Sequence, residues 1–362
     1  MGKIGLLTFY KDNFGSVLQC YATKRIIDKM GYDCRIIYKN RSIKERIVRK
    51  IKRSIKQISN SKRVTNKTHI TKETRLKISS FVESYLKPEG FNARNLQRIG
   101  KDNEYSCFIV GSDQVWNITN YYEKEYFLGF TDKEKRIAFS VSMGVNEMPE
   151  KMKTTLACLI RDFKAISVRE RTGKSILQGF YNKEIDIVSD PTIMLSSSEW
   201  EDFSKDGLRL DKPYTFVHFI DAPNNEAISF LRQIHQDKGM VIVQLGYRHS
   251  DIEEIFNADY YDGDPIDYVS IIRGASLVLT DSYHTILFSI LFNKEFRVFN
   301  RQYQTKYSQN SRIKDVLELY GLYEYGYEGK TGRDNTLIHE VVEKERIKTQ
   351  SVLEKEIGLL NN

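Results

Sequence analysis

Short apolar runs alternate with amphipathic stretches along most of the chain. IGLLTF (4–9) is too short for a buried helix and ends in the polar turn residues YKDNFGS. From there Val17, Leu18, Tyr21, Ala22, Ile26, Ile27 and Met30 recur at helical spacing, and Gly31 suits the left-handed stop of a helix. DCRIIY (33–38) is the next apolar run. Strand, loop, helix and strand in this order predict a βαβ unit.

The alternation continues. YSCFIVGSDQVWN (105–117), RIAFSVSMG (136–144), AISVRERTG (165–173) and DIVSDPTIML (186–195) read as core strands with polar ends. Helices are predicted over 76–86 and about 150–163. SSSEWEDFSKDGLRLDKP then reads as a linker. The pattern restarts with strand YTFVHFI (214–220), helix NNEAISFLRQIHQDKG, strand MVIVQLG (240–246) and helix IDYVSIIRGA. The double apolar run VLTDSYHTILFSILFN (278–293), strand EFRVFN (295–300) and helical SRIKDVLELYGL (311–322) follow. Two α/β domains with parallel sheets are expected: 1–205, carrying a basic helical insertion at about 41–75, and 206–362. Such sheets bind ligands at the carboxyl ends of their strands. That directs attention to NFGS, GSDQVWN, SVSMG, SVRER, SDPT and TDSYHT.

Length and composition agree with this picture. A chain of 362 residues is long for one core. Its 40% hydrophobic and 29% charged residues are those of a soluble globular protein. No apolar stretch of about 18 residues is present, and the first apolar run is too short for a secretory signal. Cys20, Cys34, Cys107 and Cys158 lack CxxC spacing, which favours a reducing cytoplasm over a disulfide framework.

Charge changes the picture at one place. The chain carries +8, but residues 41–63 alone hold ten Lys or Arg against one Glu. Ile43, Ile47, Ile51, Ile55 and Ile58 form an apolar stripe on this basic helix. The favoured reading packs the stripe on the first domain. The other lays it on an anionic membrane surface as a peripheral contact. Nucleic acid is disfavoured, because the block lacks interleaved aromatics and no recognition module is visible.

Several strand-end residues could carry chemistry. Asp281 or Ser282 suits the cap of a helix over 284–292, with His284 in its first turn. The helix dipole and free N–H groups there favour an anion, and a capped helix with a packed histidine is an equal alternative. Gly111 permits a tight turn, and Ser112 and Asp113 can cap a helix or meet a substrate. Trp116 stacks on a sugar or packs the core. Arg169 and Arg171 at alternate positions could point the same way, as forks for carboxylate or phosphate, against the commoner surface ion pair. GxGxxG, GxxxxGK[ST] and GxSxG are absent. His69, His218, His235, His249 and His339 lack zinc-ligand spacing, and Cys20 reads as a buried thiol.

Taken together these loops resemble the polysaccharide pyruvyltransferase family. YKDNFGSVLQCYATKRIIDKMGY is similar to that family's opening loop and helix, and GSDQVWN to its central motif. SVRE, SDPT and SYHTILFSILFNKEF follow in order, then Lys306 and SRI at 311–313. The resemblance implies two Rossmann-like domains facing a cleft, a GT-B-like fold. It implies phosphoenolpyruvate as donor, with no cofactor or metal, and a sugar acceptor. The product would be a pyruvate ketal on an envelope, capsule or exopolysaccharide precursor. It places the chain in the cytoplasm, at the inner membrane face if the acceptor is lipid-linked.

His284 and Arg169 are the catalytic residues the resemblance supports best. Asp113 is added on chemical grounds, as base or acceptor-hydroxyl ligand, with helix capping an equal alternative. Asn13, Gly15, Ser112, Gln114, Asp281, Ser282, Lys306 and Arg312 are the expected substrate-binding residues. Tyr283 and Thr285 stand where Phe and Gly are common in the family, and Thr285 is expected to crowd the phosphate. Acceptor contacts are expected from 118–130 and 247–265. Two other readings are a GT-B-type glycosyltransferase using a nucleotide sugar and an inactive glycan-binding or scaffold protein.

Overall fold

Two fully parallel sheets stand one after the other along the chain. The computed structural model describes residues 2–11, 13–42, 45, 69–117, 123–301, 310–328 and 335–358. The first half contributes β1 (Lys3–Leu7), β2 (Asp33–Lys39), β3 (His69–Ile70), β4 (Glu89–Phe91), β5 (Tyr105–Val110), β6 (Arg136–Val141), β7 (Ala165–Val168) and β8 (Ile185–Ile187). Seven of these form a sheet in the order β4-β2-β1-β5-β6-β7-β8. The second half contributes β9 (Tyr214–His218), β10 (Val241–Leu245), β11 (Tyr247–Arg248), β12 (Asp259–Tyr261), β13 (Leu277–Thr280) and β14 (Phe296–Val298). Five pair in the order β12-β10-β9-β13-β14. Helices cover such sheets on both faces, so the central strands are buried nearly throughout, as in YTFVH of β9.

Several elements are shorter than the apolar pattern predicts, because turn chemistry intervenes. The strand expected over 105–117 stops at Val110, where Gly111 (φ 114°) and Asp113 (φ 66°) turn the chain out of the sheet. The strand expected over 165–173 stops at Val168, and a helix begins at Arg171. DIVSDPTIML holds only the end of β8, since Pro191 opens a short 3-10 turn capped by Asp190. The expected linker is a helix, Ser197–Phe203, with a Ser196–Glu199 capping box and a buried Trp200. The helix expected over 76–86 starts earlier, at Lys72, because the Thr71 side chain accepts from Thr74 N–H. The basic helix expected within 41–63 lies outside the described residues, apart from 41, 42 and 45.

Two features tie the halves together. β3 pairs antiparallel with β11, joining the segment after the basic block to the second half. Beside it Asp262 accepts from the hydroxyls of Thr74 (2.9 Å) and Tyr260 (3.0 Å). The last helix, Asn335–Gly358, returns to the first half and was not expected to. There Ser189 N–H donates to Thr349 Oγ1 (3.1 Å), Arg346 Nε to the Ile193 carbonyl (3.0 Å) and Gln350 Nε2 to the Met194 carbonyl (3.0 Å).

The same helix buries Glu356 completely enough that burial holds its carboxyl well above the usual range. A raised folded-state value means the folded chain binds a proton the unfolded chain releases. Glu356 therefore costs stability as pH rises above the ordinary carboxylate range. Glu356→Gln is expected to raise the melting temperature at pH 8, with the gain shrinking towards pH 4, in thermal melts across that range.

Candidate active site

The carboxyl ends of the two sheets converge on one point. Asn13 caps the helix Phe14–Lys29, accepting from Ser16 N–H (2.8 Å), so its role is local. Gly15 in the first turn of that helix lies against the His284 ring. A Cβ on Gly15 would fall 2.1 Å from His284 Nδ1. His284 itself is in the first turn of the helix Tyr283–Leu291. Two helix N-termini, one from each half, thus meet at a single imidazole, and both present positive dipole ends. Gly15→Ala would have to displace that ring. It is expected to lower turnover about 10²-fold, from an ångström-scale misplacement, while far-ultraviolet circular dichroism remains that of the native chain.

Ser282, not Asp281, is the cap of the second helix. Asp281 accepts from the backbone N–H of Ile220 (2.7 Å) and Asp221 (3.1 Å) and pairs with Arg301 (3.1 Å). Both oxygens are engaged in joining the ends of β9 and β13. Thr285 also departs from expectation. It is fully buried, with Oγ1 2.8 Å from the Tyr268 hydroxyl, because successive helical residues face about 100° apart. It points into the core and does not crowd the site.

The turn after β5 supplies the next side chains. The Gly111–Ser112 peptide is cis. Ser112 is buried and donates to the Ser140 carbonyl (3.0 Å) and Asp190 Oδ2 (3.2 Å), so it supports the site from behind. No helix follows Asp113. Its carboxylate accepts from Ser16 Oγ (2.6 Å) and Gln114 N–H (2.8 Å), with Arg169 Nη2 at 3.7 Å. Burial pushes this carboxyl up, but Arg169, His284, the Ser16 hydroxyl and Arg312 together outweigh it and hold it below the usual range. Asp113 is an anion at neutral pH. Gln114 is held sideways: its Oε1 accepts from Asn117 Nδ2 (2.9 Å) and sits where a Cβ on Gly144 would be. Trp116 packs in the core, stacked on Phe127 at 5.7 Å.

Arg169 follows β7 and has a buried guanidinium. Nη1 donates to Asp190 Oδ2 (2.5 Å), and the flat face lies 4.3 Å from the Tyr283 ring centre. Burial opposes its charge, but Tyr283, Asp190, Asp113 and Glu170 more than offset that, so it stays cationic. Arg312, also buried, places its guanidinium 5.8 Å from the same ring. Arg171 does not join them. Strand alternation ends at Val168, so Arg171 starts a helix and is 64% exposed, 3.9 Å from Glu318. Lys306 lies outside the described residues.

Buried Arg169 Nε and Nη2 and His284 Nε2 make no well-formed hydrogen bond among the described residues, although Nη2 lies 3.7 Å from Asp113 and Nε2 3.5 Å from Asp190. Buried donors are ordinarily paired, so these are ready for an acceptor. Positive helix ends and guanidinium forks are groups that suit an anion. No cluster of three or more His, Cys, Asp or Glu among the described residues could hold a metal ion.

Four contributors escaped the sequence reading: Asp190, Ser16, Glu170 and Tyr283. Asp190 is fully buried. Burial pushes its carboxyl up, but His284, then Arg169 and Thr192 N–H, hold it well below the usual range. Glu170 accepts from Ser142 Oγ (2.8 Å) and the N–H of Met143 (2.7 Å), fixing the loop after β6. SDPT and SVRER mark the right loops, but nothing local says which acid meets which base.

Residues 13–303 match the family model described as polysaccharide pyruvyl transferase. No curated protein matches the chain. Among solved structures it is similar to Arabidopsis thaliana UGT89C1 complexed with UDP-L-rhamnose, with TM-score 0.53 and 8% identity over 99% of each chain. It is also similar to UDP-GlcNAc 2-epimerase from Neisseria meningitidis bound to UDP-GlcNAc, with TM-score 0.51 and 10% identity over 98% of this chain and 100% of that one. At these identities the likeness is one of fold: two parallel α/β sheets in a GT-B-like arrangement.

Proposed function

The chain belongs to the polysaccharide pyruvyl transferase family, and on that premise we propose the reaction its cleft performs. The pyruvyl group of phosphoenolpyruvate is transferred onto two hydroxyls of one sugar in an envelope or capsular polysaccharide precursor. The observation that carries this reading is the set of buried donors on Arg169 and His284 that lack a well-formed hydrogen bond where two helix N-termini meet. A small, densely charged anion with carboxylate and phosphate groups suits such a site.

The chemistry balances as follows. A proton adds to the methylene carbon of the enol, which becomes a methyl group. One sugar hydroxyl oxygen bonds to the adjacent carbon, and the bond from that carbon to the phosphate oxygen breaks. The second hydroxyl oxygen completes the ketal. Of the two hydroxyl protons released, one replaces the proton given to carbon and the other leaves with phosphate. Arg169 holds the donor's anionic groups with its free N–H edges. Arg312, 5.8 Å from the Tyr283 ring centre, adds charge. His284 delivers the proton. Asp113, an anion with a depressed proton affinity, orients the attacking hydroxyl and takes its proton late, as positive charge develops on the oxygen.

No helix among the described residues is long and apolar enough to cross a membrane. The charge excess of residues 41–63 suits an anionic membrane surface, which would bring the cleft to a lipid-linked acceptor. The test is incubation with phosphoenolpyruvate and lipid-linked galactosyl, glucosyl and mannosyl acceptors, read by mass. A pyruvyl adduct with release of phosphate is expected. Thermal stabilisation by nucleotide sugars alone, with none by phosphoenolpyruvate, would overturn the reading.

A further inference from the structure

Asp190 takes no part in the steps above, yet both its oxygens are engaged. Oδ1 accepts from Thr192 N–H (3.0 Å) and Thr192 Oγ1 (2.9 Å), which sets the plane of the carboxylate. Oδ2 then accepts from Ser112 Oγ (3.2 Å) and Arg169 Nη1 (2.5 Å), with His284 Nε2 at 3.5 Å. Arg169 belongs to the first sheet and His284 to the second half. Asp190 faces both. It occupies one end of the Arg169 fork and leaves Nε and Nη2 unbonded. We propose that Asp190 is a positioning residue that holds the Arg169 guanidinium and the His284 imidazole as one unit in the mutual orientation the donor requires. The proposal rests on the donor-site reading above.

Around His284 stand Asp190 after β8, 3.5 Å from Nε2, Asp113 after β5, and the Tyr283 ring 5.4 Å away. Gly15, against the ring from the other half, carries no charge.

The test variant is Asp190→Asn, which keeps the shape and an acceptor for Thr192. Phosphoenolpyruvate binding by calorimetry is expected within about threefold of wild type, since Arg169 remains charged and a negative neighbour is gone. Turnover, with whichever acceptor the mass assay identifies, is expected to fall about a hundredfold or more, as when an orienting carboxylate behind a histidine is lost. A group serving structure alone would not change the ratio of turnover to binding. Thr192→Val loosens the carboxylate without touching Oδ2 and decides the matter should Asp190→Asn not fold. It is expected to cut turnover about tenfold with binding unchanged. Unchanged turnover in the folded variants overturns the proposal, as does a parallel loss of turnover and binding with a lowered melting temperature. If the wild-type chain binds no phosphoenolpyruvate, the donor-site reading fails and takes this assignment with it.

Discussion

His284→Ala is expected to reduce pyruvyl transfer by about 10³-fold while leaving phosphoenolpyruvate bound. The proton given to the enol carbon must come from a group within reach of the donor, and such transfers contribute roughly 10²–10⁴-fold. His284 is 7% exposed, its Nε2 is unbonded, and the dipole of its own helix points at the same place. The anion keeps Arg169 and both helix ends in this variant, so affinity is expected to weaken by less than tenfold. His284→Gln sharpens the test, because it restores an N–H donor but cannot release a proton at any useful pH. It is expected to bind phosphoenolpyruvate as well as wild type and still fail to turn over. Wild-type turnover in the glutamine variant, measured as phosphate release with acceptor present, would remove His284 from the acid role.

Arg169 is the position where substitution is expected to cost most, and its two informative variants separate stability from recognition. Arg169→Ala leaves Asp190 and Asp113 buried with one fewer cation. Removing one partner of a buried ion pair costs about 3–5 kcal/mol. The loss is expected to be largest at neutral pH. Both carboxyls lie below their ordinary range in the folded wild type, so the stability they contribute is present above that range and lost as pH falls through their depressed values. Without Arg169 those carboxylates accept protons more readily, and the gap between variant and wild type narrows in acid. Melting curves from pH 4 to pH 8 check this, and a gap that widened in acid would contradict it.

Arg169→Lys keeps the charge near Asp190 and is expected to fold. It loses the planar fork and the stacking on Tyr283, which for exposed to desolvated cations is worth about 0.5–2 kcal/mol. It also loses the second N–H edge aimed at the donor. Hydrogen bonds to charged groups contribute about 1.5–3 kcal/mol, so phosphoenolpyruvate is expected to bind about 10- to 100-fold more weakly. Titration calorimetry on the folded lysine variant measures this directly. Equal affinity for lysine and arginine would mean that the site reads charge alone.

Much of the site's address was legible, because turn residues at strand ends are local signals. Asp113, Arg169 and His284 all follow strands that the apolar pattern located, and all three converge in space. The errors share a cause. Arg171 was paired with Arg169 by extending strand alternation past the point where the chain turns into a helix. Asp281 and Ser282 are adjacent and both chemically able to cap. Only the position of Arg301 and the β9-end amides assigns Asp281 elsewhere. SSSEWEDF reads as a linker because its polar residues outnumber its apolar ones, yet Trp200 and Phe203 anchor it in the core.

The sequence by itself determined the alternation of strands and helices, the parallel α/β class and the loops that carry polar chemistry. Those depend on periodicities of two and 3.6 residues and on turn propensities, which act within a few positions. Only the tertiary structure decided the pairings. Ser16 meets Asp113 across 97 positions of chain, Gly15 makes room for His284 from the other half, and Asp190 reaches both Arg169 and His284. Buried polar groups must find partners, and the partner is whichever group packing brings within about 3 Å. Spacing along the chain carries no record of that distance.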